Sequence, residues 1–279
     1  MNLKTIAAAV AVGALAAVTT ITFAADKKAA DVEKAVAGDW RSADAKSRDV
    51  YRHPAEALTF WGLKPGMTVL EIQPGGGWWT EILAPYARLT KGEFYATGAD
   101  LSDPALSDNA RKGRADFEAK YANAAVYGKV NVVNWGAKAT LPADKFDFVL
   151  AARVFHGWMN GNSQDANLAK IYASLKPGGI LAIEQHRGNP GADPVKAGYV
   201  TEQAVIDAAA KAGFKFEGKS EVNANPKDTK DHPFGVWTLP PTRQSSEGGK
   251  PVDPTFDRAK YDAIGESDRM TLKFSKPKK

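Results

Sequence analysis

The chain has 279 residues, 44% of them hydrophobic and 25% charged, an ordinary globular composition with ample material for a full core. It contains no cysteine, which excludes disulfide frameworks, thiolate metal sites and cysteine nucleophiles. The net charge of +5 is dispersed among acids apart from Lys276, Lys278 and Lys279, so no basic face argues for a nucleic-acid partner.

Lys4 precedes an apolar, alanine-rich run over residues 5–23, and Thr22 and Ala24 put small residues where a signal peptidase reads. The pattern predicts a signal peptide over residues 1–24, export to the periplasm or beyond, and no stable membrane insertion after cleavage. An uncleaved anchor is the alternative, against which the alanines and threonines give weak hydropathy. Residues 25–60 read as a helical lead-in or cap, and residues 61–279 as the main domain. Within the lead-in, PAEALTFW from Pro54 to Trp61 starts a helix on proline and carries an apolar stripe suited to a sheet edge or a pocket cover.

Strand, glycine turn and helix follow over residues 68–83, TVLEIQPGGGWWTEIL. The helix over residues 80–87 contains Pro85, which is expected to kink or shorten it by removing a backbone donor. A second strand spans residues 93–98 and runs to Asp100. Asp103 is expected to cap a polar helix over residues 104–125, before a third strand over residues 129–134. FDFVLA, residues 146–151, is a fourth strand, apolar enough to be buried on both faces. Ser163 caps a helix to about Leu175, KPGG makes a tight turn, and residues 180–184 form a fifth strand. Thr201 caps a helix that stops at Gly213, followed by a sixth strand over residues 214–222. Residues 223–262 read as a long loop with local structure around residues 234–239, and residues 270–274 as a last strand. The alternation of strands and helices predicts a Rossmann-like α/β domain, a mostly parallel seven-stranded sheet with helices on both faces.

The glycine turn sits where backbone can approach a ligand and a helix N-terminus offers free N–H groups. A dinucleotide fingerprint starting at Gly75 would need a third glycine where Thr80 stands, which disfavours a nicotinamide-dependent oxidoreductase. A phosphate loop would need Gly-Lys followed by Ser or Thr, and the turn has none. His53, His156, His186 and His232 show no metal-ligand spacing, so no metal is expected.

VLEIQPGGG resembles the first motif of class I SAM-dependent methyltransferases. LPADKFDFVLA and LKPGG resemble their fourth strand and the turn before their fifth. Four further stretches, RDVYRHPAEALTFWGLKPGMTVLEIQPGGGWWTEILAP, IEQHRGNPG, AGF and ESDRMTLKFSKP, resemble a group of exported methyltransferases over most of residues 48–277. The resemblance implies S-adenosylmethionine as cofactor, held by Glu71, Gln73, Pro74, Gly75, Gly76, Gly77, Asp100, Leu101, Ala137 and Arg153. Glu71 would orient the turn and the methionine ammonium, and Asp100 would accept the two ribose hydroxyls. Gln73 departs from the family's usual glycine and would narrow the pocket. Ala137 stands where many relatives carry an acid that contacts the adenine amine.

His156, just past the fourth strand, is the candidate catalytic base, with a pocket-wall histidine as the bland alternative. His186 and Arg187 are expected to face the same crevice, where an arginine beside two histidines suits an anionic acceptor, though structural ion pairing would also explain it. Trp78 and Trp79 are assigned to core packing ahead of cation–π contact with a sulfonium. The function expected is methyl transfer from S-adenosylmethionine to a small-molecule acceptor. The competing expectation is a non-catalytic binding protein on the same fold.

Overall fold

The structure, a computed structural model, describes residues 31–248 and 250–278. The expected signal segment lies outside them. Among the described residues no helix is long and apolar enough to cross a membrane.

Seven strands form one sheet: β1 (Thr68–Ile72), β2 (Glu93–Ala99), β3 (Val130–Trp135), β4 (Phe146–Ala152), β5 (Leu175–His186), β6 (Lys215–Ser220) and β7 (Arg269–Ser275). Their order is β3-β2-β1-β4-β5-β7-β6, and only β7 runs antiparallel to its neighbours. This is the fold class that the alternation predicts. Strand β1 shows why both faces are covered. Val69 packs in a cluster with Trp61, Trp79, Ile82 and Tyr86, whereas Leu70 and Ile72 point the other way, toward Phe155, Leu168 and Ile171. That alternation also puts Glu71 on the same face as Val69.

Several boundaries differ from the sequence expectation for identifiable reasons. Pro85 neither stops nor shortens its helix, which runs over Thr80–Leu89. A proline there orphans the Glu81 carbonyl, and the Trp40 indole donates to that carbonyl at 2.8 Å. The polar helix is shorter than expected, Asp108–Lys120, and is capped by Ser107; Asp103 instead accepts from the Ala105 amide in a turn. Ser163 precedes the helix Gln164–Ser174 but makes no side-chain cap bond, because its hydroxyl is engaged by Asn167 and the Trp158 carbonyl. KPGG lies within β5 rather than before it. A helix at Phe155–Asn160, unforeseen in the sequence, carries His156. The long loop holds the expected local structure as a 3-10 turn at Gly235–Thr238, and also an unforeseen short helix at Arg258–Asp262.

The helix Pro54–Trp61 has the expected bounds but does not sit at a sheet edge. Trp61 donates its indole N–H to the Leu272 carbonyl of β7, which lies between β5 and β6. The lead-in is tied down electrostatically as well. Arg48 and Arg52 donate to Glu266 at 2.6 and 2.8 Å, and Arg269 of β7 donates to the same carboxylate. Arg269 also faces Glu184 of β5 at 3.2 Å. Arg52, Glu184, Glu266 and Arg269 are all buried.

One buried carboxylate serving three guanidinium groups cannot be neutralised cheaply. Glu266→Gln should lower stability by about 3 to 5 kcal/mol, measured by urea unfolding. A loss below about 1 kcal/mol would contradict this account of how the lead-in is held.

Candidate functional site

The strand order reverses between β1 and β4, and the crevice beyond their carboxyl ends is where open α/β sheets bind ligands. Each strand ends there on a residue in the left-handed region, Gln73 with φ 48° and Arg153 with φ 58°. Such a conformation is costly for a residue with a Cβ and persists only where neighbours enforce it. The Gln73 amide donates to the Thr97 hydroxyl at 2.7 Å, and its side-chain oxygen accepts from the Trp158 indole at 2.6 Å. The Arg153 amide donates to the Glu184 carbonyl at 2.7 Å.

The glycines divide their work. A side chain at Gly77, with φ 83°, would lie 1.8 Å from the Tyr121 hydroxyl oxygen, so this glycine is required by packing under the turn. Gly75 and Gly76 would meet nothing within 4 Å, because they face open crevice.

Two cavities abut at this point. The larger, of about 830 Å³, runs from Gly98 and Ala99 at the end of β2 past Trp135, Gly136 and Ala137 to His156 and Trp158. The smaller, of about 480 Å³, is walled by Glu71, Trp78, Trp79 and His186, by Ser42 to Arg48 of the lead-in, and by Trp237, Pro240 and Pro241 of the long loop. Gln73, Pro74, Gly75, Arg153 and Val154 line both.

Of the residues singled out in the sequence, Gln73, Pro74, Gly75 and Arg153 stand at this junction, Glu71 and Gly76 line the smaller cavity, and Ala137 lines the larger. Gly77 is buried beneath the turn. Asp100 is a neighbour of the larger cavity rather than part of its lining. Its Oδ1 accepts from the Ser102 amide and hydroxyl, and its other oxygen comes within 3.5 Å of where a Cβ on Gly136 would be. Leu101 is 45% exposed and lines neither cavity, since the chain turns outward after Asp100. His156 lines the larger cavity, with Nδ1 3.1 Å from the Gln185 amide nitrogen. His186 lines the smaller and pairs with the Ser267 hydroxyl.

Arg187 does not face the crevice, contrary to expectation. Its guanidinium is consumed by Asp268, Glu202 and Glu221, which makes it a structural clamp between β5 and the chain before β7. Trp78 and Trp79 are buried as expected for core residues. Trp78 also lies under the guanidinium groups of Arg41 and Arg52, at 5.2 and 4.6 Å from its ring centre, so its cation–π partners come from the lead-in.

Residues that sequence inspection missed close both cavities. Asn167 and Ser163 line the larger one, where the Asn167 amide donates to Ser163 and its carbonyl oxygen accepts from no donor among the described residues. Trp237, in the stretch with expected local structure within the long loop, packs edge-on against His156 at 6.1 Å between ring centres. Among the described residues no group of three or more His, Asp or Glu could hold a metal ion.

The electrostatics of the junction are unusual. Glu71 is 2% exposed, and burial pushes its carboxyl up to about 7 although the Thr80 hydroxyl, at 2.6 Å, and Arg153 pull it down. Burial, reinforced by Arg269, lowers the Arg153 guanidinium to about 10. His156 is held below its usual range by burial, and His186 well below by burial and by Arg269.

The family of proteins described as "methyltransferase domain" matches residues 46–216. The ubiquinone/menaquinone biosynthesis C-methyltransferase UbiE of Shewanella pealeana is 32% identical over 123 residues, 44% of this chain and 43% of that protein. The UbiE protein of Escherichia coli O1:K1 is 29% identical over 139 residues, 50% of this chain and 49% of its own. The chain therefore spans under half the length of these curated relatives. A SAM-dependent methyltransferase structure from Aquifex aeolicus covers 63% of this chain and 87% of its own, at 24% identity and a TM-score of 0.48.

The raised carboxyl has a thermodynamic signature. Because Glu71 titrates near 7 in the fold and near its ordinary 4.5 when unfolded, its contribution is complete below about pH 4.5 and is lost as pH rises through 7. Glu71→Gln should remove this slope, worth up to about 3 kcal/mol, from the difference between urea midpoints at pH 5 and pH 8. An unchanged difference in the variant would contradict the assignment.

Proposed function

The chain belongs to the methyltransferase domain family, with the sheet of a class I SAM-dependent methyltransferase, and from that premise we propose that it transfers a methyl group to a small molecule across the junction of its two cavities. The observation that carries the proposal is the shared wall: Gln73 to Gly75 and Arg153 to Val154 border a larger cavity on one side and a smaller one on the other. Donor and acceptor held on either side of one wall need little else, because fixed proximity supplies much of the rate.

The larger cavity fits S-adenosylmethionine by the chemistry of its donors. Gly75 leaves room for close approach, Gly98, Ala99 and Gly136 line the cavity with little side chain of their own, and Trp135 and Trp158 offer flat apolar surface. Asp100 has one carboxylate oxygen free of hydrogen bonds to the described residues and suited to a ribose diol. The Asn167 oxygen could accept from the adenine amine, a role for which Ala137 has no side chain. When bound, the cofactor supplies a methyl group activated by a sulfonium.

The protein's own residues orient and manage protons. Gln73, locked by Trp158 and Thr97, fixes the turn. Glu71, with a carboxyl near 7, lines the smaller cavity and is placed to take an acceptor's proton there, while His156, held below its usual range by burial, lines the larger and meets the smaller one's wall at Trp237. The UbiE relatives, named as C-methyltransferases of ubiquinone and menaquinone biosynthesis, support a small organic acceptor. The Lys4 and alanine-rich pattern of residues 1–24 supports export, in keeping with the exported methyltransferases the chain resembles.

Two measurements test these proposals. Titration calorimetry should detect S-adenosylhomocysteine, and Asp100→Asn should weaken it at least about tenfold, because the amide turned to satisfy Ser102 presents a donor where the ribose needs an acceptor. Unaltered affinity would remove Asp100 from the site, and no binding by the parent protein would overturn the cofactor assignment. Residues 1–30 fused to an export-dependent reporter should give periplasmic activity; a cytoplasmic reporter would refute export.

A further inference from the structure

The smaller cavity is built differently from the larger. Every residue lining the larger one falls within residues 73–167, inside the span that matches the methyltransferase domain family. Ser42, Asp44, Ala45, Trp237, Pro240 and Arg269 of the smaller one fall outside that span. These chain-specific walls are where a particular acceptor would be recognised.

The walls combine two properties. Trp78, Trp79, Trp237, Pro240 and Pro241 give flat apolar walls to a chamber of about 480 Å³, within the usual size for a small organic ligand. Charges of both signs line it as well: Arg48, Lys120, Arg153 and Arg269 against Asp44, Glu71 and Glu81, with Arg52, Glu184 and Glu266 in the charge cluster behind. Arg48, Arg52 and Arg269 have direct carboxylate partners. Arg153 has none. Its side chain makes no hydrogen bond or ion pair among the described residues and its Nε is buried. The acids that act on it from a distance, Glu184 and Glu266, are engaged by Arg48, Arg52 and Arg269. A desolvated guanidinium without a partner is costly, and a planar oxyanion that accepts two of its N–H groups relieves that cost.

Resting on the methyl-transfer proposal, we infer that the acceptor is a small, flat organic carboxylate, with its ring system against Trp237 and the prolines and its carboxylate on Arg153. The methionine carboxylate of the cofactor is the rival source of the same chemistry, and the experiment separates the two.

The full-length protein, saturated with S-adenosylhomocysteine, is titrated with 2-naphthoate and with its uncharged counterpart 2-naphthamide. The parent protein should bind naphthoate at least about tenfold more tightly than naphthamide, and Arg153→Gln should abolish that preference while changing affinity for S-adenosylhomocysteine less than about threefold. Trp237→Ala should weaken both probes alike and leave their ratio intact. Equal binding of the two probes by the parent, binding of neither, or a preference that survives Arg153→Gln would overturn the inference. A large loss of S-adenosylhomocysteine affinity in Arg153→Gln, with 5′-methylthioadenosine unaffected, would assign Arg153 to the cofactor's carboxylate instead. The outcomes separate from failure of methyl transfer itself: a parent protein blind to S-adenosylhomocysteine but selective for naphthoate would retain the anion chamber and lose the cofactor. Should Arg153→Gln not fold, Arg153→Lys keeps the charge without the planar fork and should reduce the preference; an undiminished preference would count against bidentate capture.

Discussion

The reversal of strand order between the parallel neighbours β1 and β4 is the constraint from which the site follows. Helices that leave these two strands depart to opposite sides, so their carboxyl ends have nothing packed between them and a crevice is unavoidable. Backbone that must turn away sharply at both lips explains left-handed conformations at Gln73 and Arg153, each enforced by a hydrogen bond to a neighbouring strand or its extension. Both residues border both cavities, as do Pro74, Gly75 and Val154.

The second organising feature is the buried charge cluster behind that wall. Glu266 joins Arg48 and Arg52 of the lead-in to Arg269 of β7, and Glu184 joins Arg269 to the Trp79 indole beside the glycine turn. Lead-in, β5, β7 and turn are therefore one mechanical unit, and the smaller cavity takes its shape from all of them. The hydrophobic side agrees: Val32, Ala35, Leu58 and Trp61 from the lead-in share a core with Val69 and Ile82. A glycine turn that would be open to solvent in the bare sheet becomes one wall of a chamber.

Much of this was legible in the chain. Apolar runs and their spacing indicate six strands to within a residue or two, and VLEIQPGGG locates the crevice. What eluded sequence inspection depended on partners distant along the chain. Pro85 looks like a helix breaker until Trp40 arrives to satisfy Glu81. Arg187 looks like an anion binder until three carboxylates surround it, whereas Arg153, singled out in the sequence only as a cofactor contact, is left without a partner among the described residues. ESDRM stood out as a motif without a chemical role. In the fold Glu266 and Arg269 close the charge cluster, Asp268 holds Arg187, and Ser267 pairs with His186. Burial itself is invisible in sequence, so a carboxyl near 7 at Glu71 could not be foreseen from a glutamate in a strand.

Two ligands on opposite sides of the wall at Gln73 and Arg153 is the central claim, and a crystal structure with S-adenosylhomocysteine tests it most directly. The account predicts the nucleoside between the end of β2 and Gly136, with the thioether at Gly75 and the chamber beneath Trp237 open for an acceptor. A nucleoside seated in the chamber against Trp78 and Trp237, with the larger cavity empty, would contradict it.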